Sequence, residues 1–368
     1  MRSVIAFIKR EAVLIILLVA LIVLQLIHPQ PLRSLAGMID RETMLTLFGL
    51  LVLTKVIEQT GAMDWAAHRL LRRVHTERGL ALALVVFAAL LSTVLTNDVA
   101  LFAVIPVALS IQQQASVSLR RLVSVIAIAV NAGSILTPLG NPQNLFLWHA
   151  SGVSFGQFVL TLAPLTAVLM IGLGALTFAL FPHRVLEIPE DAEHAPLDRT
   201  TLAIAALCFV VFVILADLHH AGIACAVVVV VFGVLKRRAV IGIDWLLLAV
   251  FALMFVVLRS VANLDVVHEA CARAGLDQRL HVFVVAAITS QVISNVPAAI
   301  MLESFTKQWQ ALAYGVSVGG FGWCIGSLAN LIAMRLAPVK GLFWRFHVLS
   351  VPFFVFALVV GAWLTRWI

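Results

Sequence analysis

Residues 133–144 read Gly133-Ser134-Ile135-Leu136-Thr137-Pro138-Leu139-Gly140-Asn141-Pro142-Gln143-Asn144, a polar, helix-breaking run inside an apolar segment. A second run, from Gly319 through Gly326 to Asn330, repeats its spacing. In both runs the glycines stand seven residues apart, and the second glycine precedes an asparagine by four. Because glycine and proline interrupt helices, each run predicts a helix broken near its middle. Such breaks at corresponding places in two halves of a membrane protein are typical of secondary transporters.

A short polar tip precedes each run. Leu95-Thr96-Asn97-Asp98 splits the apolar stretch 79–112, and Ile293-Ser294-Asn295-Val296-Pro297 splits the stretch 279–310. We interpret both stretches as re-entrant hairpins, which enter and leave the membrane on one side.

Composition predicts the protein class. Of the 368 residues, 62% are hydrophobic and 12% are charged, which is too little polar surface for a soluble globule of this size. We therefore predict an all-α polytopic membrane protein. The net charge of +7 falls in short loops and argues for membrane topology rather than for a nucleic-acid partner. The four cysteines are far apart and show neither metal-ligand spacing nor a disulfide framework.

A bilayer core about 30 Å thick requires about 20 apolar residues per helical span. With the two hairpins set aside, the basic loops fall on the side of the N-terminal Lys9-Arg10, which predicts a cytoplasmic N-terminus in a bacterial inner membrane. The predicted spans are 12–27, 44–60, 121–148 (interrupted), 156–181, 201–216, 221–235, 243–262, 313–334 (interrupted) and 346–366.

This assignment divides the chain into two repeats, 1–181 and 201–368. Span 44–60 runs inward and span 243–262 runs outward, so the repeats are inverted, which is the structural basis of alternating access. A polar cytoplasmic linker at 182–200 joins them and carries Glu187, Glu190, Asp191 and Glu193. No phosphate loop of the GxxxxGK[ST] type occurs, which argues against ATP hydrolysis.

A helix broken at the bilayer midplane leaves N–H groups and carbonyls that lipid cannot satisfy. Helix N-termini suit an anion, and carbonyls suit a cation. Side-chain amides can complete either kind of site, or they can cap the tips alone. Because the two halves match, we predict one shared site for substrate or ion, with sodium ligands, if any, at Asn97, Asp98 and Asn295. Its residues are Thr96, Asn97, Asp98, Thr137, Gly140, Asn141, Asn144, Ser294, Asn295, Gly326, Ser327 and Asn330.

Asp98 is the sharpest single candidate. An intramembrane carboxylate costs about 2.5–3.5 kcal/mol on insertion scales, so it usually has a partner or a function. Three roles are open: proton carrier, cation ligand, and N-cap of the second hairpin arm. Lys55 and Arg259 stand at matching positions of two spans, where they could attract an anion, pair with Glu58 and Glu303, or extend to the interface.

The positions of the histidines in the sequence predict no metal site. His219 and His220 fall in a short outer turn, which is typical of solvated side chains. We predict no metal centre besides the candidate sodium site, and no cofactor.

The paired motifs resemble the ion-transporter superfamily, which includes arsenite efflux pumps, sodium/proton antiporters, citrate-metal symporters and sodium-coupled dicarboxylate transporters. The resemblance covers roughly residues 10–366. The short length and the GNPQN sequence at 140–144 make the chain most similar to arsenite-pump-like and citrate-transporter-like bacterial anion permeases. In the dicarboxylate branch both tips read Ser-Asn-Thr, and the second tip here lacks that polar third residue. The resemblance implies an elevator or rocking motion and a homodimer.

The leading hypothesis is a proton-coupled secondary transporter of a small inorganic or organic anion or oxyanion. A sodium/proton antiporter and a sodium-coupled dicarboxylate symporter are the alternatives, so the coupling ion is H⁺ or Na⁺. An intramembrane protease would need paired acids or a serine–histidine arrangement at membrane depth. The chain shows one isolated tip acid, so we predict no enzymatic activity.

Overall fold

The computed structural model describes residues 12–71, 74–114, 117–186 and 196–368. Lys9-Arg10 and the acidic linker residues Glu187, Glu190, Asp191 and Glu193 lie outside the described residues. Within the described ranges the chain forms helices and connecting turns, with one isolated antiparallel bridge between Thr76 and Val185. The all-α prediction is confirmed.

The helices of the first half are α1 (Ala12–Ile27), α2 (Leu32–Gly37), α3 (Arg41–Gln59), α4 (Ala62–Leu71), α5 (Glu77–Val94), α6 (Asn97–Gln114), α7 (Leu119–Gly133), α8 (Pro142–Ser151) and α9 (Phe155–Leu180). Those of the second half are α10 (Arg199–Asp217), α11 (Ala221–Leu235), α12 (Arg237–Ile241), α13 (Trp245–Ala262), α14 (Asp265–Arg273), α15 (Arg279–Ile293), α16 (Asn295–Glu303), α17 (Trp309–Val318), α18 (Leu328–Leu336) and α19 (Leu342–Leu364).

The two halves repeat one order of elements. Helices α3 to α9 correspond to α13 to α19: a long helix, a short helix, a hairpin of two helices, a broken helix and a final span. Glu58, near the end of α3, and Asp244, at the start of α13, line the same cavity, so the two long helices run in opposite directions. The inverted repeats are confirmed.

Both hairpins break at the polar tips. Helix α5 ends at Val94 and α6 begins at Asn97, and α15 and α16 are separated by Ser294 alone. Ser294 has a φ of 75°, a left-handed conformation that turns the chain sharply and that serine rarely adopts.

The second arm of the second hairpin is shorter than the prediction. Helix α16 ends at Glu303, whereas the sequence predicted an arm reaching residue 310. Residues 304–308 are largely polar, and the Gln308 N–H donates to Thr306 Oγ1 at 3.1 Å, which closes a turn there. Local side-chain bonding of this kind competes with helix formation.

Among the described residues, five helices are long and apolar enough to cross a membrane, namely α5, α9, α10, α13 and α19. Helices α3 and α4, bent by 59°, make a sixth candidate when taken together. The predicted spans 12–27 and 221–235 coincide with α1 and α11, whose 16 and 15 residues fall short of a full straight span.

Basic residues of several loops gather at one end of the molecule. Arg78 Nε donates to the Phe181 carbonyl at 2.9 Å, and Arg121 donates to the Leu180 carbonyl at 3.1 Å, at the C-terminus of α9. Such cations complement the negative end of a helix dipole. We name this the basic end.

Helix α3 finishes at the basic end, since Glu58 lines one cavity with Arg335. Helix α11 finishes beside it, since Asp198 bonds both Thr60 and Lys236. Both helices begin at the opposite end.

Candidate functional site

Each hairpin is fastened to the broken helix of its own repeat by an equivalent contact. Thr93 Oγ1, near the first tip, donates to the Gly133 carbonyl at 3.1 Å. Gln291 Nε2, near the second tip, donates to the Gly319 carbonyl at 2.7 Å. Gly133 and Gly319 are the matched first glycines of the two runs, so the two repeats make equivalent hydrogen bonds at this point.

The matched asparagines close the two breaks in the same way. Asn144 Nδ2 donates to the Ser134 carbonyl at 3.2 Å, and Asn330 Nδ2 donates to the Gly320 carbonyl at 3.0 Å, each to a residue ten positions earlier. Asn144 Nδ2 also lies 2.9 and 3.2 Å from two further carbonyls. The amides thus satisfy carbonyls that the interrupted helices leave free.

A hydrogen bond joins the two repeats at this level. Asn131 Nδ2, on α7, donates to Asn330 Oδ1, on α18, at 2.8 Å. The residues at the equivalent positions are Ser317 and Asn144. Ser317 Oγ and Asn144 Oδ1 are both buried and have no hydrogen-bond partner among the residues described. The repeats therefore differ here, because serine is too short to reproduce the asparagine bridge.

The other predicted residues of the first repeat hold the tip against the break. The Asn97 N–H donates to the Gly140 carbonyl at 3.0 Å, and Thr137 Oγ1 donates to the Thr93 carbonyl at 2.5 Å. Asn141 Oδ1 caps the N-terminus of α8 by accepting an N–H at 2.9 Å. These side chains shape the backbone around the site.

The second repeat shows looser versions of these contacts. Ser294 Oγ lies 3.5 Å from the Gly326 carbonyl, and Asn295 Oδ1 accepts the Val296 N–H at 3.0 Å. Ser327 Oγ accepts an N–H of the first turn of α18 at 3.3 Å. A substrate could replace the long Ser294 contact at little cost, since its geometry is at the limit of a hydrogen bond.

A cavity of about 800 Å³ reaches from the basic end to the first tip. Of the predicted site residues, Thr96 and Asp98 line it, and so do residues at the start of α18. Its charged lining residues are Lys55, Glu58, Asp64, Asp98, Asp244 and Arg335.

The cavity reaches one of two equivalent pairs of helix N-termini. It reaches the starts of α6 and α18, which contact each other. The counterparts are the starts of α16 and α8, and none of their residues lines this cavity. Further along, Phe102 on α6 is 55% exposed and its counterpart Ile300 on α16 is 0% exposed. The structure is therefore open to the site from the basic end.

A second cavity, of about 620 Å³, lies among residues 276–277 and 303–308, near the opposite end. None of the predicted site residues lines it. The structure thus arranges the twelve predicted residues around two tips and two breaks, and the first cavity reaches two of them, Thr96 and Asp98.

The charged candidates separate into two groups. Lys55 Nζ lies 3.0 Å from a Glu58 carboxylate oxygen, so this pair is neutral within the cavity wall. Arg259 instead donates to the Met38 carbonyl at 2.6 Å and stands over the Phe255 ring. Asp98 accepts no hydrogen bond from the described residues, so a capping bond at α6 is not observed. Its carboxylate faces the cavity.

Sequence reasoning missed two residues of this region. Asn131 is a single amide in an apolar helix, two positions before the first glycine of the run, and that isolation was an available signal. Asp244 lies in the cavity wall and also caps α13 by accepting the Leu247 N–H at 2.9 Å. Its sequence context, an acid before an apolar run, predicts the cap alone.

Comparison with known proteins agrees with this architecture. A family model described as citrate transporter matches residues 3–308. The chain belongs to this citrate transporter family. Its resemblance to the ion-transporter superfamily, argued above from the paired motifs, is confirmed.

Relatives of this citrate transporter family protein cover nearly its whole length. The inner membrane protein YbiR of Escherichia coli strain K12 is 38% identical over 330 residues, which are 89% of this chain and 88% of YbiR. An uncharacterised transporter of Methanocaldococcus jannaschii is 27% identical over 345 residues, 93% of each protein. The YdaH transporter of Alcanivorax borkumensis has a similar fold, with a TM-score of 0.55 and 16% identity over 90% of this chain and 86% of that one. The chain is a multi-pass membrane transporter.

Proposed function

We propose that this protein is a proton-coupled secondary transporter of a small anion, either an oxyanion or a carboxylate, that works by alternating access. One observation carries the proposal. The cavity reaches Asp98 and the N-termini of α6 and α18 but not the equivalent N-termini of α16 and α8, and Phe102 on α6 is 55% exposed whereas its counterpart Ile300 on α16 is 0% exposed. An inverted repeat that exchanged these two arrangements would open the site to the other side.

The helix N-termini support an anionic substrate. Each carries about half a positive charge and unpaired N–H groups, which bind carboxylates and oxyanions. Arg335 adds a full positive charge to the cavity wall. Carboxylates are favoured further by the description of the family as citrate transporters.

Asp98 supports proton coupling. When ionised, its carboxylate cancels the positive potential that an anion needs at the start of α6, and Asp244 adds a second negative charge to the same cavity. A proton on Asp98 removes its share of this repulsion and leaves that of Asp244. Anion and proton therefore favour each other's binding at this site. The Lys55–Glu58 pair is already neutralised and plays no part in coupling.

The moving part would be residues 79–150 and 279–335, carrying the hairpins and broken helices against a scaffold of the remaining helices. The bonds from Thr93 and Gln291 fasten each hairpin to its broken helix, and the Asn131–Asn330 bond joins the two halves. A body held together in this way can shift as one piece.

The basic residues gathered at the basic end support a location in a bacterial inner membrane, with the basic end and the N-terminus in the cytoplasm. A homodimer formed by scaffold helices stays a prediction from the resemblance.

The test is internal pH in proteoliposomes that contain the purified protein. Citrate, a shorter dicarboxylate, arsenite, sulfate and sodium are added outside one at a time. We expect one anion to change internal pH in wild type and not in Asp98→Asn. A pH change caused by sodium alone would reject anion coupling.

A sodium-coupled function is the second candidate, as an antiporter or as a dicarboxylate symporter. It rests on Ser317 Oγ and Asn144 Oδ1, two buried oxygens with no partner among the described residues. Neutral oxygens of this kind suit a hard monovalent cation. Ser317→Ala would weaken a sodium effect on transport, whereas a purely proton-coupled protein would keep its wild-type behaviour.

A further inference from the structure

Three residues from distant parts of the chain meet at the end of the molecule opposite the basic end. Glu42 lies in the first turn of α3, His149 near the end of α8, and His219 in the turn between α10 and α11. His149 Nδ1 lies 3.4 Å from a Glu42 carboxylate oxygen, and His219 Nδ1 lies 3.6 Å from the same oxygen. One ligand atom from each residue lies within 4.8 Å of the other two.

We propose that Glu42, His149 and His219 form a binding site for a divalent transition metal of the zinc type. Two histidines and one carboxylate are a ligand set that zinc uses in proteins, with a fourth position left for water. Metal–ligand distances of about 2.0–2.1 Å place two ligands of a tetrahedral ion about 3.3–3.4 Å apart. The two observed separations are close to this value, and both exceed a normal N–H···O hydrogen bond.

The surroundings of His149 are those of an oriented metal ligand. Its side chain is 3% exposed, and its Nε2 lies 3.0 Å from Thr46 Oγ1, so the ring is fixed with Nδ1 toward Glu42. With Thr46 Oγ1 accepting the Nε2 proton, the Nδ1 lone pair is free for a metal ion. Glu42 and His219 are 44% and 55% exposed on their side chains, so an ion can reach the site from solvent.

The site bridges two parts that the proposed transport cycle moves against each other. Helix α8 belongs to the moving part, while Glu42 and His219 belong to the scaffold. A metal bound by all three residues would hold the protein in the arrangement that is open at the basic end. The restraint of the transport cycle by the metal rests on the proposed function, whereas the binding of the metal to these three residues does not.

Binding is tested by titrating Zn²⁺ into the full-length protein in detergent, by calorimetry in a buffer that does not chelate metals. His219→Ala is the main variant because the side chain is 55% exposed. His219 has a φ of 58°, so the unfolding midpoint of the variant is measured beside the titration. His220→Ala is the matched control, since it removes the neighbouring histidine of the same turn. We expect one Zn²⁺ per chain in wild type and His220→Ala, and at least about tenfold weaker binding in His219→Ala and Glu42→Gln. Equal binding in all four proteins, or equal loss in both histidine variants, would overturn the site.

Whether bound Zn²⁺ holds the protein in this arrangement can be tested without knowing the substrate. The variant is Ile300→Cys in a background without other cysteines. Ile300 is buried in the present arrangement, so the new thiol should react with thiol reagents only after the protein changes state. Zn²⁺ should slow this reaction several-fold, and His219→Ala should remove the effect. Specific zinc binding with an unchanged reaction rate would refute the bridge between moving parts while leaving the transport proposal to its own test.

Discussion

Asn131 donates its side-chain amide to Asn330 at 2.8 Å, and this bond joins the first half of one broken helix to the second half of the other. The equivalent pair, Ser317 and Asn144, keeps two buried oxygens without a hydrogen-bond partner among the described residues. Two repeats with the same backbone plan thus present different chemistry at their centre. In the transport cycle that we propose, the symmetric scaffold would serve alternating access, while the asymmetric side chains would bind one substrate and one coupling ion.

Replacing Asn131 by alanine should destabilise the protein. Asn330 Oδ1 would be buried without its donor, which costs about 1–3 kcal/mol. Thermal unfolding in detergent measures this loss. Ser124→Ala is the control, because Ser124 is equally buried on α7 and bonds within its own helix at 2.7 Å. An unfolding midpoint for Asn131→Ala that matched the control would contradict the assigned role of the bridge.

Alanine at Gly140 should be poorly tolerated. A Cβ there would lie 2.7 Å from both the Ser92 carbonyl oxygen and Ser134 Cα, and backbone atoms cannot move aside cheaply. We expect a loss of about 1–3 kcal/mol or more, together with loss of transport. Gly174→Ala is the control, since nothing lies within 4 Å of a Cβ there, and helix propensity predicts a gain of about 0.5–1 kcal/mol. Similar expression and stability of the two variants would show that the tip and the break are not closely packed.

Asp98→Asn should abolish proton coupling while preserving the fold, because asparagine keeps the shape and cannot exchange a proton near neutral pH. Asp244→Asn is the matched control in the same cavity. Asparagine caps a helix as well as aspartate does, so the cap on Leu247 survives. The measurement is anion-driven pH change in proteoliposomes. If Asp244→Asn lost coupling and Asp98→Asn kept it, the proton site would have to be reassigned.

The pH dependence of transport should not come from Asp198, which caps α10 at the basic end. Hydrogen bonds from Thr201, and then one from Lys236, lower its pKa from 3.8 to about 2. Because the folded-state pKa is depressed, the stabilisation from the ionised form is complete above about pH 3.8 and is lost as pH falls through about 2. Asp198→Asn should therefore leave the pH profile of uptake near neutrality unchanged. A flattened profile in this variant would assign Asp198 a share of the coupling.

The sequence predicted the elements whose signals are local. Glycine, proline and polar residues in apolar segments marked both tips and both breaks. The equal seven-residue glycine spacings that begin at Gly133 and at Gly319 predicted the repeats. Helices α4 and α14 were missed because they are short and carry charged residues. The cluster of Glu42, His149 and His219 was also missed, since no spacing rule connects residues that only the tertiary fold brings together. The bridge between Asn131 and Asn330 has the same origin.

The central claim is that the two repeats exchange an open and a buried arrangement. Phe102 and Ile300 occupy equivalent positions, and they are 55% and 0% exposed. The most direct measurement is the reaction of single cysteines at these positions with a membrane-impermeant thiol reagent added to one side at a time, in a cysteine-free background. We predict that Phe102→Cys reacts from the side of the basic end and Ile300→Cys from the opposite side. A transported anion should change the two rates in opposite directions. Reaction of both from the same side, or no reaction of Ile300→Cys under any condition, would contradict alternating access by this inverted repeat.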